Sequence, residues 1–185
     1  IPLLSKRVET LQEAGLVLKE KYNGQFINAL EEANFDAVKL VQLLYNNFPS
    51  FYDVANYNDQ VIYILKRAQI CTNDLSYLSQ TPNGKTISNL NSLTAFADYK
   101  LPQMLRHYSV ITYSPNLSRQ IDNYELIKSG SPEEIEIRAA TIWGIELIRQ
   151  YLPHYTSGQI DNALWLLSQD QTGLKPYHRT YSVYY

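Results

Sequence analysis

Asp98 carries the strongest chemical signal in the chain, because it sits in the run Thr94-Ala-Phe-Ala-Asp-Tyr-Lys-Leu-Pro-Gln103. Phe96, Ala97 and Tyr99 are poor neighbours for a solvated surface charge, and Pro102 restrains the backbone just beyond. The carboxylate therefore needs a partner or a task. Carboxylate-assisted hydrolysis is one such task. The structural alternatives are a helix cap or a salt bridge to Lys66 or Arg67.

Several other chemistries fit poorly. Gly84-Lys85-Thr86 imitates the end of a phosphate-binding loop, but Ser79 stands where the leading glycine belongs and no strand precedes it. His107, His154 and His178 lack metal-ligand spacing. No Gly-x-Ser-x-Gly elbow occurs, and Cys71 has no motif around it.

Composition bounds the setting. The 185 residues suit a single domain with a substantial core. Hydrophobic residues make up 45% and charged ones 18%, and no apolar run reaches the roughly 18 residues needed to cross a bilayer. No secretory signal opens the sequence. A net charge of −2 gives no basic field for a polyphosphate backbone, so a small ligand is expected and direct nucleic-acid binding is not. A lone cysteine fits a reducing, cytoplasmic setting, which makes the sequon Asn116-Leu-Ser118 accidental. Sixteen tyrosines suit half-buried helix faces and the walls of polar pockets.

The elements that would position these residues read as helices almost throughout, which predicts an all-α fold. Leu4, Val8, Leu11, Leu18 and Tyr22 form one stripe over 5–23, with Gly24 as its stop. An apolar helix is expected from about Phe35 to Phe48-Pro49, with Asn34 as its N-cap. Residues 51–59 read as loop, and Ile62, Leu65, Ile70 and Leu75 as a further helix from Gln60. Residues 81–92 read as loop. Ser131-Pro-Glu-Glu134 is a strong helix start, and the helix to Tyr151 is apolar nearly all round. It therefore predicts a buried central helix, with Glu136, Arg138 and Glu146 partly buried, Glu136 pairing with Arg138, and Trp143 in the core. Gly158 to Leu167 is the last expected helix, its Trp165 also assigned to the core, and 173–185 an extended tyrosine-rich tail. No hairpin signal is expected anywhere.

Lys66-Arg-Ala-Gln-Ile70, Phe96-Ala-Asp-Tyr-Lys-Leu-Pro-Gln-Met-Leu105, Glu134-Ile-Glu-Ile-Arg138, Trp143, Glu146-Leu-Ile-Arg149, Pro176-Tyr-His-Arg179 and Tyr184-Tyr185 resemble the queuosine salvage protein family. The resemblance covers the whole chain. It implies a compact helical domain distantly similar to helix-hairpin-helix DNA glycosylases. It also implies an N-glycosylase that hydrolyses queuosine 5′-phosphate to queuine and ribose 5-phosphate, with no cofactor and no metal.

Breaking an N-glycosidic bond places positive charge on the sugar, so a fixed carboxylate beside C1′ is required. The resemblance gives Asp98 that catalytic role. A 7-deazapurine has carbon at position 7 and cannot be activated by protonation there, so a second acid near the base is expected, and Asp161 occupies the matching place. Lys66 is expected to meet Asp98 or the 5′-phosphate. Phe96, Tyr99, Trp165 and His178 complete the expected substrate contacts, and Tyr177 and His178 in the tail either close the pocket or pin the C-terminus, the second being favoured. Family members extend further at the N-terminus. That departure implies a fragment, a truncated homologue or one part of a two-chain assembly. The alternative reading is a non-catalytic helical module that needs the N-terminal half.

Overall fold

Capping side chains, prolines and left-handed residues set the helix limits in the computed structural model, which describes residues 2–77 and 85–185. The phosphate-loop imitation and the expected loop at 81–92 lie partly outside the described residues. The chain divides into two compact units: Ile1–Asp53 with Leu65–Leu93 and Tyr184, and Val54–Ile64 with Thr94–Val183 and Tyr185.

The first unit holds α1 (Leu4–Lys21), α2 (Phe26–Glu32), α3 (Ala37–Asn47) and α4 (Lys66–Ser76). Its centre is α3, whose Ala37, Leu40, Val41, Leu43 and Leu44 are buried. The cap of α3 is Asp36, whose carboxylate accepts from the Lys39 N–H at 3.0 Å. Asn34, the expected cap, instead adopts left-handed backbone together with Phe35 and serves the turn out of α2. Tyr22 stacks on Phe48 at 6.1 Å, closing α1 against the end of α3. The N-terminus of α4 is satisfied by Asp53, whose carbonyl accepts from Leu65 N–H and whose carboxylate accepts from Lys66 N–H, both at 3.0 Å.

The second unit begins with a correction to the all-α expectation. Residues Val54–Tyr57 (β1) and Gln60–Tyr63 (β2) pair as an antiparallel hairpin, Tyr57 opposite Gln60. Asn58 and Asp59 both have positive φ, so the two-residue turn forms without glycine. The expected loop at 51–59 and the helix start at Gln60 are thereby replaced, and α4 begins six residues later at Lys66. The Tyr57 hydroxyl donates to Glu136, fastening the hairpin to the long helix Pro132–Arg149.

Four helices follow: α5 (Lys100–His107), α6 (Pro115–Asp122), α7 (Pro132–Arg149) and α8 (Ser157–Asp170). Ala95, Leu101, Leu105, Ile111, Ile145 and Ile160 form a shared core with Ile148 and Leu164 at its edge. Arg106 grips Asp122 with two N–H groups at 2.7 and 3.0 Å and Ser118 at 2.9 Å, joining α5 to α6. A Cβ on Gly144 would meet Leu105 at 3.1 Å, so glycine permits the close approach of α7 to α5.

Helix α7 starts as expected, with Ser131 as N-cap and Pro132 in the first turn. It is not buried all round. Trp143 is 69% exposed and Leu147 is also exposed, while Glu134, Ile137, Arg138, Thr141 and Ile145 face inward. Glu136 is exposed too and bonds Tyr57, and it is Glu134 that pairs with Arg138, at 3.6 Å. The nearly continuous apolar pattern concealed which stripe faces the core. Trp165, on α8, is 41% exposed, so it is not a core residue either.

Candidate functional site

The segment 94–99, which leads into α5, has no regular secondary structure, yet Ala95, Phe96 and Ala97 are buried. A buried backbone without a ladder must find partners for its N–H groups. Asp161 supplies one: its carboxylate accepts from the Phe96 N–H at 2.6 Å, reaching from α8. Ordering of this segment follows from that bond and from the flanking core.

Asp98 comes next, two residues ahead of α5. Its Oδ1 accepts from Lys100 N–H at 2.7 Å and Leu101 N–H at 2.9 Å. One oxygen is thus fixed by two donors of the first helical turn, where the helix dipole also favours negative charge. Pro102 falls within this first turn, where its missing N–H costs nothing. The cap reading of Asp98 is therefore satisfied, and two backbone N–H groups orient the carboxylate.

The ring of Tyr99, the next residue, feels the charge of this acid and meets a second ring. The Tyr99 and Tyr177 centroids are 4.7 Å apart at an interplanar angle of 44°, and the Lys100 ammonium lies 5.7 Å from the Tyr177 centroid. Burial, followed by the charges of Asp98 and Tyr177, raises the Tyr99 phenol above its usual value, so its hydroxyl stays protonated at neutral pH. The described structure thus brings together Phe96, Asp98, Tyr99 and Asp161, and adds Tyr177. Trp165 lies one turn beyond Asp161 on α8. Lys66 belongs to the first unit, at the start of α4.

His178 has a different neighbourhood. It is 1% exposed, its Nε2 lies 3.1 Å from the Tyr185 hydroxyl, and that hydroxyl donates to Glu134 at 2.6 Å. The Arg138 guanidinium lies over the Tyr185 ring at 5.2 Å. Burial, with the nearby Arg138 charge second, lowers the His178 imidazole to about 4, so it is neutral at pH 7. These contacts match tail anchoring, the second of the two roles considered for His178.

A separate cleft of about 510 Å³ lies towards the other end of α5, lined by Gln103, Arg106, His107, Tyr113, Ser118 and Lys175 among others. Neither Asp98 nor Asp161 lines it, and Arg106 there is already engaged by Asp122. The acids and the aromatic pair are the stronger chemical site. Cys71 offers no competing nucleophile, because burial first and Asp74 second push its thiol up to about 11.

Fold and site define a mostly helical protein built around a carboxylate that caps a helix within an aromatic loop. The queuosine salvage protein family model matches residues 1–185, and the chain belongs to that family. It is 43% identical to a queuosine 5′-phosphate N-glycosylase/hydrolase of Sphaerobacter thermophilus, 36% identical to that of Dictyostelium discoideum and 34% identical to that of Mus musculus. Each comparison covers 100% of this chain and 59% of the relative, so the chain spans about three-fifths of their length.

Proposed function

We propose that this chain carries the hydrolytic centre of a queuosine 5′-phosphate N-glycosylase, releasing queuine for salvage into tRNA. The observation that carries the reading is Asp98, whose Oδ1 is held by two backbone N–H groups beside the Tyr99–Tyr177 pair. Helix-hairpin-helix DNA glycosylases, which break the same kind of bond, are the fold comparison this reading favours.

In this mechanism the C1′–N bond breaks and its electron pair leaves with the base. Positive charge on the sugar is stabilised by Asp98, whose position is already set before substrate arrives. Water then adds to C1′ and Asp98 takes its proton, which passes to the departing base, giving queuine and ribose 5-phosphate. Asp161 acts first as the anchor of the loop, through Phe96 N–H. The substrate is a small nucleotide, and this chemistry needs no metal or redox cofactor.

The test is chromatographic detection of queuine released from queuosine 5′-phosphate by this chain, with Asp98→Asn alongside. Release by the parent and its loss in a folded variant are expected. Equal release by both would remove Asp98 from the mechanism. A second reading, a binding module that requires more of the family's length, is favoured by α1, none of whose residues is buried. Under that reading the folded chain binds queuine without turnover.

A further inference from the structure

Residues 171–177 run antiparallel to α5, and their contacts are in register. Gln171 meets His107 at 3.4 Å, the Lys175 carbonyl accepts from Gln103 at 2.6 Å, and Tyr177 meets Tyr99 at 4.7 Å. The strap therefore delivers one aromatic ring to the end of α5 that carries Asp98. Immediately beyond Tyr177 the chain is locked twice. His178 is buried and bonded to Tyr185, which Glu134 holds, while Ile127 N–H donates to the Arg179 carbonyl at 2.8 Å.

Such a lock needs a reason, since it uses buried polar groups. Glu134 and Arg138 side chains are each 3% exposed, and burying them costs free energy unless they are well paired. Their yield is positional: Tyr177 stays more than one-third exposed while its neighbour is fully buried. An exposed ring fixed against a second ring, itself the chain neighbour of Asp98, is a stacking surface, and planar heteroaromatic bases are what such a surface accepts.

Resting on the proposed hydrolase reading, we infer that Tyr177 is a binding wall for the base of the substrate, and that Glu134, Tyr185 and His178 are positioning residues that hold it there. The wall acts through its ring and not its hydroxyl. It favours base binding in the ground state and the transition state alike, so its loss raises KM and leaves kcat nearly unchanged.

The experiment uses the full 185-residue chain with queuine as the binding probe, read by calorimetry, and queuosine 5′-phosphate as the turnover probe. Tyr177→Ala is expected to weaken queuine binding roughly tenfold or more, and Tyr177→Phe to restore it to within about twofold. Glu134→Gln is expected to weaken binding while amides 175–183 exchange with deuterium faster than in the parent. Should Glu134→Gln unfold the chain, Tyr185→Phe, which removes only the hydroxyl bonded to Glu134 and His178, provides the same readout. Parental queuine affinity in Tyr177→Ala overturns the wall, and so does failure of the parent to bind queuine. Unchanged exchange in the positioning variants overturns the lock. Loss of turnover in Asp98→Asn with parental affinity in Tyr177→Ala leaves the hydrolase standing without the wall. Queuine binding that depends on Tyr177 without turnover leaves the wall standing without the hydrolase.

Discussion

Asp98 uses one oxygen to accept two N–H groups, so replacing the other oxygen separates its two roles. Asp98→Asn retains an acceptor for Lys100 and Leu101 and is expected to melt close to the parent while losing turnover. Asp98→Ala removes the cap as well and is expected to lose about 1 kcal/mol of stability; calorimetry on the pair measures the difference. His178 gives a pH signature. Its folded value of about 4 lies below the ordinary 6.5, so the unfolded chain binds the proton first as pH falls. The stability contribution is complete above about pH 6.5 and is lost between there and pH 4, amounting to roughly 3 kcal/mol. Urea unfolding at pH 7 and pH 5 should show this slope, and His178→Gln should flatten it. Phe96, Asp98 and Tyr99 were legible because an acid among rings is chemically conspicuous. The bond from Phe96 N–H to Asp161 was not, because a backbone donor 65 positions away leaves no trace in local spacing.

Among the elements, those with side-chain caps were the readable ones. Ser131 and Pro132 announced α7, and Thr156 with Gln159 forms a capping box at the start of α8, one residue before the expected Gly158. Thr156→Ala is expected to cost about 1 kcal/mol, visible as a lowered Tm, because it exposes donors that water or nothing must then satisfy. Helices α2, α5 and α6 went unread. They span 7, 8 and 8 residues, two turns or so, too short for an apolar period to repeat convincingly. The hairpin was hidden for another reason. Its turn is Asn58-Asp59 without glycine, and the first strand has one polar and three partly apolar positions whose alternation is weak.

At the scale of the molecule, the family assignment rests on the whole chain, while the activity is argued from a chain that spans 59% of its relatives. Among the described residues no helix is long and apolar enough to cross a membrane. The mostly helical character was plain from the sequence, whereas the division into two units was not, because the chain leaves the first unit at Asp53, makes the hairpin, and returns at Leu65. Helix α1 shows what packing alone decides. Its residues do form a helix, as their single stripe implied, yet Leu4, Val8 and Leu11 on that stripe are exposed. Its tertiary hydrogen bonds, from Ser50 to the Glu13 carboxylate and from Lys21 to Asn47, fall in its second half. An 18-residue helix is barely self-supporting in water, so its first two turns must open on their own while α3 and α4 remain folded. Trypsin should therefore cut after Lys6 and Arg7 before any other site, leaving a trimmed chain whose melting temperature matches the parent's.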